Sequence, residues 1–165
     1  MTTHAPSSEF QVRSALPEDI PVITDVINAA FAVESFFVRG DRISRDGVEK
    51  LFETGKLFVA ESSDAVIAAA VYVEIRGDHG YFGVLSVARE HRGKGLGGRM
   101  INVAENYARE QGCRQMDLSL IDLRTELPPL YRKFGYEISG TSPASEELQQ
   151  KATMPCHFIH MSKLL

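Results

Sequence analysis

The sequence predicts an α/β (α+β) domain in which about four helices flank a mixed central sheet of about six or seven strands. Short runs rich in β-branched and aromatic residues alternate with segments of helical period. The resulting order is strand, two helices, three strands, helix, strand, helix, two strands, which suits helices layered on a mixed sheet. No internal repeat, low-complexity tract or long linker breaks that order, so residues 10–165 are expected to form one domain behind a loose polar tail at 1–9. With 165 residues, 44% of them apolar and 24% charged, the chain is long enough to bury about two thirds of its unfolded surface.

Residues 10–14 read as a first strand with Phe10, Val12 and Ser14 on one face. Pro17-Glu18-Asp19 opens a helix to about Ala32, whose apolar positions Ile20, Ile23, Val26, Ile27 and Ala30 recur at helical spacing. Residues 31–43 mix aromatics, arginines and Gly40 without a period and read as a loop. Ser44 is placed to cap a second helix through Val48, Leu51 and Phe52, which Gly55 ends. Residues 57–61 and 65–76 read as strands around a Ser62-Ser63-Asp64 turn, residues 77–80 as another turn, and 81–87 as a further strand. The next helix is strongly periodic, with Leu96, Met100, Ile101, Ala104, Tyr107 and Ala108 on one face and Gly112 as its stop. A strand at 115–121, a short helix at 128–134 ended by Gly135, and strands at 136–140 and 156–161 complete the chain.

Net charge is −4, which provides no global basic field for nucleic acid or anionic lipid, so neither is expected as a partner and any anionic ligand needs a local site. The first nine residues hold no hydrophobic stretch that could serve as a secretion signal. The longest apolar run, residues 65–73, is nine residues, against the roughly 20 a membrane-spanning helix needs. Cys113 and Cys156 match no disulfide framework or zinc spacing, and the expectation is a reduced, cytoplasmic protein with both thiols packed as small hydrophobes. His157 and His160 lie three apart on a strand and point to opposite faces, so no metal site is expected.

Chemistry concentrates at Arg92-Gly93-Lys94-Gly95-Leu96-Gly97-Gly98, which leaves a strand region and opens the periodic helix. Glycines let backbone N–H groups converge on one concavity, the helix N-terminus adds partial positive charge, and Arg92, Lys94 and Arg99 add full charges beside it. Such a nest suits a diphosphate. A P-loop spacing is absent. The dinucleotide pattern G-x-G-x-x-G is present as Gly93, Gly95 and Gly98, with Asp117 and Asp122 near the position of a ribose-binding acid. Against that reading, four residues separate the loop from the strand end, and too few strands follow to build a dinucleotide fold.

Arg92, Gly95 and Gly97 also meet R/Q-x-x-G-x-G/A, and with Leu85-Ser86-Val87 before them the segment resembles the coenzyme A signature of the Gcn5-related N-acetyltransferase (GNAT) superfamily. The element order over about residues 10–164 is similar to that superfamily's, and residues 130–136 resemble its late motif of a tyrosine followed by a Gly-aromatic pair. The resemblance implies acetyl-CoA as co-substrate and direct attack of an acceptor amine on the thioester. It implies that Leu85, Ser86 and Val87 pair with the pantetheine arm and that Arg92, Gly93, Lys94, Gly95, Leu96, Gly97 and Gly98 hold the pyrophosphate. Tyr131 matches the family's tyrosine that protonates the departing thiolate. The reading that follows is a small-molecule amine acetyltransferase, with protein lysine or N-terminal acetylation, or a non-catalytic acyl-CoA-binding module, as alternatives. A homodimer through edge strands is compatible with the resemblance.

Two positions depart from the family pattern. Arg124 stands seven residues before Tyr131, where many relatives carry asparagine, and Ser119 stands where protein N-terminal acetylating branches often carry glutamate. Glu74, His79 and Asp117 are each candidate general bases, and the residues do not choose among them. Phe36, Phe37, Arg39 and Arg42 lie in the inter-helix loop that lines the acceptor pocket in relatives, and residues 123–129 border the same region or form a rigid entry to the helix before Tyr131.

Overall fold

A computed structural model describes residues 9–165, so of the expected tail only Glu9 is included. In chain order the elements are β1 (Phe10–Ser14), α1 (Ile20–Phe31), α2 (Arg45–Thr54), β2 (Lys56–Ser62), β3 (Ile67–Arg76), β4 (His79–Val87), α3 (Leu96–Glu110), β5 (Gln115–Ile121), α4 (Leu127–Arg132), β6 (Glu137–Pro143), α5 (Glu146–Lys151) and β7 (His157–Leu164). The strands form one sheet in the order β1-β2-β3-β4-β5-β7-β6. Neighbours are antiparallel except β4 and β5, which run parallel because α3 carries the chain back between them. Among the described residues no helix is long and apolar enough to cross a membrane.

The periodic face of α3 is buried as its spacing predicts: Leu96, Met100, Ile101, Ala104 and Ala108 pack on one face of the sheet with Phe82, Met116, Leu118 and Met161. Ile23, Val26 and Ile27 of α1 and Val48 of α2 cover the other face, against Leu57, Val59, Ala70 and Tyr72. A third, smaller cluster sits under the inter-helix loop, where Phe37 packs with Ile121, Ala144 and Cys156. Burying a phenyl ring this fully stabilises by roughly 1.5–3 kcal/mol, which adds to the backbone bonds that tie this loop to residues 151–153. Both thiols are free and buried, as the sequence suggested, and burial pushes each of them up from the ordinary thiol range.

Several boundaries differ from expectation for local reasons. Ala65 has φ of 61°, so it belongs to the turn and β3 starts at Ile67. The next turn needs only Gly77, at φ 67°, and Asp78, so β4 starts at His79 and the hairpin gains an Arg76–His79 pair. α5 is a fifth helix where the sequence showed no element. Its one turn is held by the Ser145 hydroxyl accepting from the Leu148 N–H at 3.2 Å, a cap too local to produce a periodic pattern.

A candidate acyl-transfer site where the sheet splits

The site follows from an incomplete strand pair. β4 pairs with β3 along most of its length, but β5 pairs with it only through His79–Gln115, Gly80–Met116 and Tyr81–Asp117. Beyond Tyr81 the two strands diverge, leaving one edge of β4 from Phe82 to Val87 without a strand partner and opening a cleft in the middle of the sheet. Pairing with β3 also slips there: Tyr72 faces Gly83 but Ala70 faces Ser86, so Val84 and Leu85 form a bulge. Val84 has φ of 46°, a conformation a β-branched residue rarely adopts and that costs about 1–3 kcal/mol. Its carbonyl accepts from the buried Ser86 hydroxyl at 2.8 Å, which satisfies one polar group that the bulge displaces.

At the far end of β4 the glycine loop runs into α3. Gly93 and Gly95 are at φ 77° and 79°, and a Cβ on Gly93, Gly95 or Gly97 would meet nothing within 4 Å, so the concavity is open and lined by main chain. Gly95 is the N-cap of α3 and no side chain caps the helix, so its first N–H groups point outward unpaired by any cap. Arg92 is exposed and Lys94 lies 5.8 Å over the Phe10 ring. Arg99 donates to the Phe10 carbonyl at 2.6 Å, so this cation also ties the loop to β1. These features fit a diphosphate held by backbone amides, such as the one coenzyme A carries, on the observation that the left-handed glycines leave the helix end uncovered.

Inside the cleft is a cavity of about 130 Å³ whose lining includes Val84, Leu85, Ser119, Arg124 and Tyr131. A larger groove of about 670 Å³ adjoins it and shares Phe31, Glu34, Arg42 and Phe158 as lining. Tyr131 is brought there by α4, and its hydroxyl makes no hydrogen bond with the described residues. Burial pushes its phenol up to about 12, with Arg124 opposing the rise. Behind it stands Tyr136, with ring centroids 6.2 Å apart and planes at 82°. The Tyr136 hydroxyl donates to the buried Glu105 carboxylate at 2.7 Å, and Lys163 donates to the same carboxylate at 3.0 Å. Burial and that hydrogen bond push the Tyr136 phenol far up, so it stays a neutral prop for the Tyr131 ring. Glu105 went unnoticed in the sequence, although its place on the buried side of α3 marks it in retrospect.

The opposite wall is ionic. Arg124 donates to Glu34 at 2.8 Å and to Glu126 at 2.9 Å, and the first pair is nearly buried, at 14% and 10% side-chain exposure. Arg42 lies 4.9 Å over the Phe31 ring and lines both spaces, whereas Arg39 lines neither. Of the two loop phenylalanines, Phe37 is core and Phe36 is exposed. None of the three candidate bases lines the cavity. Glu74 pairs with Arg76 and accepts from Tyr72. His79 lies 2.9 Å from Asp117 at the root of the β4–β5 pair. Burial pushes the Asp117 carboxyl up, but hydrogen bonds from Gln115, Ser162 and His79 prevail and hold it below the ordinary range. His157 is exposed beside Asp122 at 4.0 Å, while His160 faces the opposite way and contacts Ser119.

A family model described as the acetyltransferase (GNAT) family matches residues 26–136. Streptothricin acetyltransferase from Streptomyces lavendulae is 28% identical over 187 aligned positions, covering 98% of this chain and 97% of that protein. Among solved structures, a putative phosphinothricin N-acetyltransferase superposes with a TM-score of 0.74 at 20% identity, covering 94% of this chain and 98% of the other. The ribosomal-protein-S18-alanine N-acetyltransferase from Escherichia coli superposes with a TM-score of 0.73 at 12% identity, covering 94% and 93%.

Proposed function

The chain belongs to the GNAT family of acetyltransferases, and from that premise we propose that it transfers an acetyl group from acetyl-CoA to the primary amine of a small molecule by direct attack. The observation that carries this reading is that Tyr131 and the strained Val84–Leu85 bulge line one cavity at the split between β4 and β5, on a strand whose unpartnered edge runs on toward the glycine loop. The loop amides from Gly93 to Gly98 and the cations Arg92 and Lys94 hold the pyrophosphate. The unpartnered edge at Leu85, Ser86 and Val87 receives the pantetheine arm as a strand would. The bulge presents backbone N–H groups freed from the β3 ladder to the developing oxyanion. Tyr131 protonates the thiolate as it leaves, and its upward-shifted phenol ensures that the proton is present at neutral pH.

A small acceptor is favoured by the cleft's dimensions and walls. The inner cavity is about 130 Å³ and closed on one side by the Glu34–Arg124 pair, and the outer groove of about 670 Å³ falls in the range of small-molecule sites. Two of the relatives are named for small amine-bearing acceptors. The protein N-terminal reading is weaker, because Ser119 stands where that branch often has glutamate.

Calorimetry with acetyl-CoA, with NAD as control, tests the cofactor. Binding in the micromolar range by acetyl-CoA alone is expected, and a response to NAD alone would overturn the assignment. CoA release with streptothricin, phosphinothricin and a peptide bearing a free N-terminal amine then tests the acceptor. Turnover of the peptide in preference to both small molecules would overturn the small-acceptor reading.

A further inference from the structure

An amine that reaches this cleft at neutral pH as an ammonium cannot attack until it loses a proton, and the candidates suggested by sequence lie outside the cavity. The geometry points to a relay of Ser119, His160 and Ser142 as the group that takes that proton. Ser119 Oγ lies 2.8 Å from His160 Nδ1, and Ser142 Oγ lies 2.7 Å from His160 Nε2. Three strands assemble it: Ser119 and His160 face each other across the β5–β7 pair. The register shift between Ile138 and Gly140 sets Gly140 opposite His160, and Ser142 two residues on reaches the ring. Ser119 lines the cavity that Tyr131 also lines, while the ring behind it is partly buried and held at both nitrogens. The relay uses the neutral ring in the tautomer in which Nε2–H donates to Ser142 Oγ and Nδ1 accepts from the Ser119 hydroxyl.

The proton balance follows from those bonds. The bound ammonium gives one proton to Ser119 Oγ as the Ser119 hydroxyl proton passes to Nδ1, leaving a neutral amine and an imidazolium that donates to both serines. The amine nitrogen then bonds to the thioester carbon and the C–S bond breaks. Tyr131 gives its phenolic proton to the departing thiolate, the second nitrogen proton replaces it through solvent, and the imidazolium returns its proton to water. Ser119 touches the substrate, and His160 acts through it. The charged groups facing the ring from its surroundings are Asp117 on β5, two residues from Ser119 and held by Gln115, Ser162 and His79, and the Glu34–Arg124 pair with Arg42 across the cavity. β6 presents on this side the hydroxyls of Ser142 and of Ser139, which contacts Ser162, and the exposed Glu137, which stands opposite Ser162 and pairs with Arg132 at 3.7 Å. The relay therefore specifies an aliphatic amine that arrives protonated.

This inference rests on the small-amine reading, and two measurements separate its failure from that reading's. Long-range ¹H–¹⁵N spectra of the acetyl-CoA complex, assigned with His160→Gln, read the tautomer without any acceptor. A neutral ring with bare Nδ1 is expected, and a neutral ring protonated at Nδ1 overturns the relay. With streptothricin as the amine probe, Ser119→Ala and His160→Gln are expected to lower kcat/KM at pH 7 by at least about tenfold, the usual scale of a positioned base. Because free amine grows about tenfold per pH unit below its own pKa, the deficit should shrink toward pH 9, with acetyl-CoA affinity and melting temperature unchanged. A deficit equal at every pH would mean a structural role and would overturn the proposal. If the wild-type protein leaves streptothricin untouched, the small-acceptor reading takes that failure and the tautomer alone decides the relay.

Discussion

The two banks of the cleft are made of different material. On the side proposed to hold the cofactor, what the protein offers is main chain: left-handed glycines, an uncapped helix end and an unpartnered strand edge. On the acceptor side they come from side chains that meet only because distant strands and loops pack together, such as Glu34 with Arg124 and Ser119 with His160. Main-chain recognition depends on local backbone geometry and so tolerates little change at a few positions. Side-chain recognition is spread over many positions, each with a smaller share. If that contrast is right, single substitutions should fall off in severity from the first bank to the second.

The most severe is expected at Gly95. A side chain there takes on the strain of φ 79°, about 1–2 kcal/mol, and a carboxylate adds repulsion at the pyrophosphate. Gly95→Glu should weaken acetyl-CoA binding by at least about 100-fold, equivalent to about 2.7 kcal/mol. Calorimetry reads this directly. A loss below tenfold would show that the loop binds through its side-chain cations instead, and would remove the distinction between the banks on this side.

Tyr131 belongs to neither bank, since in the proposed mechanism it acts on the sulfur between them. Tyr131→Phe should leave acetyl-CoA affinity intact and slow turnover at least about tenfold. The ring fills the same space and the hydroxyl has no partner among the described residues to lose, so the melting temperature should hold. The pH dependence follows from the direction of the shift. A phenol pushed up to about 12 keeps its proton to higher pH than an ordinary tyrosine. No alkaline fall in kcat below about pH 11 should therefore trace to this group, since a tenth of a group with such a pKa is ionised one unit below it. A wild-type limb near pH 10 that disappears in Tyr131→Phe would contradict the buried, protonated acid.

The same contrast explains what could be read from the sequence. A glycine loop, its flanking cations and the helix it opens are contiguous, so the open glycine turn and the buried face of α3 are visible as spacing alone. The position of Tyr131 was visible because the Gly-aromatic pair follows it closely. The Glu34–Arg124 pair joins residues 90 apart, and Ser119–His160 joins residues 41 apart, through a strand order in which β7 inserts between β5 and β6. Nothing in local pattern encodes that insertion. His160 was correctly set on the opposite face from His157, but its serine partners depended on the β5–β7 register and on the shift in β6. Glu74, His79 and Asp117 suggested themselves by residue type, and their places outside the cavity became evident only once the strands were paired.

On the acceptor side the largest effect should come from Arg124→Ala. It leaves Glu34 nearly buried beside the cavity without its cation. Breaking a fully buried pair costs about 3–5 kcal/mol, so this partly exposed one should cost roughly 2 kcal/mol. Chemical denaturation should show that loss, and acceptor KM should rise while acetyl-CoA affinity does not. Glu34→Gln in the same background should recover part of the stability, because no buried charge then remains unpaired. Failure of the second change to recover anything would mean that the pair is not the wall of the acceptor site.

The smallest effect separates two arginines of one loop. Arg42 lines both the inner cavity and the outer groove and lies over Phe31, while Arg39 lines neither and its backbone N–H is spent on the Lys151 carbonyl at 2.8 Å. An exposed guanidinium that meets a ligand through water-screened contact contributes up to about 1 kcal/mol, so Arg42→Ala should raise acceptor KM about two- to fivefold with kcat unchanged. Arg39→Ala should leave KM within error. The two substitutions remove the same charge from the same loop, so a general electrostatic effect would move both equally. Equal shifts would mean that the loop attracts the acceptor as a charged surface, and the acceptor bank would then lose its claim to be built from individually placed side chains.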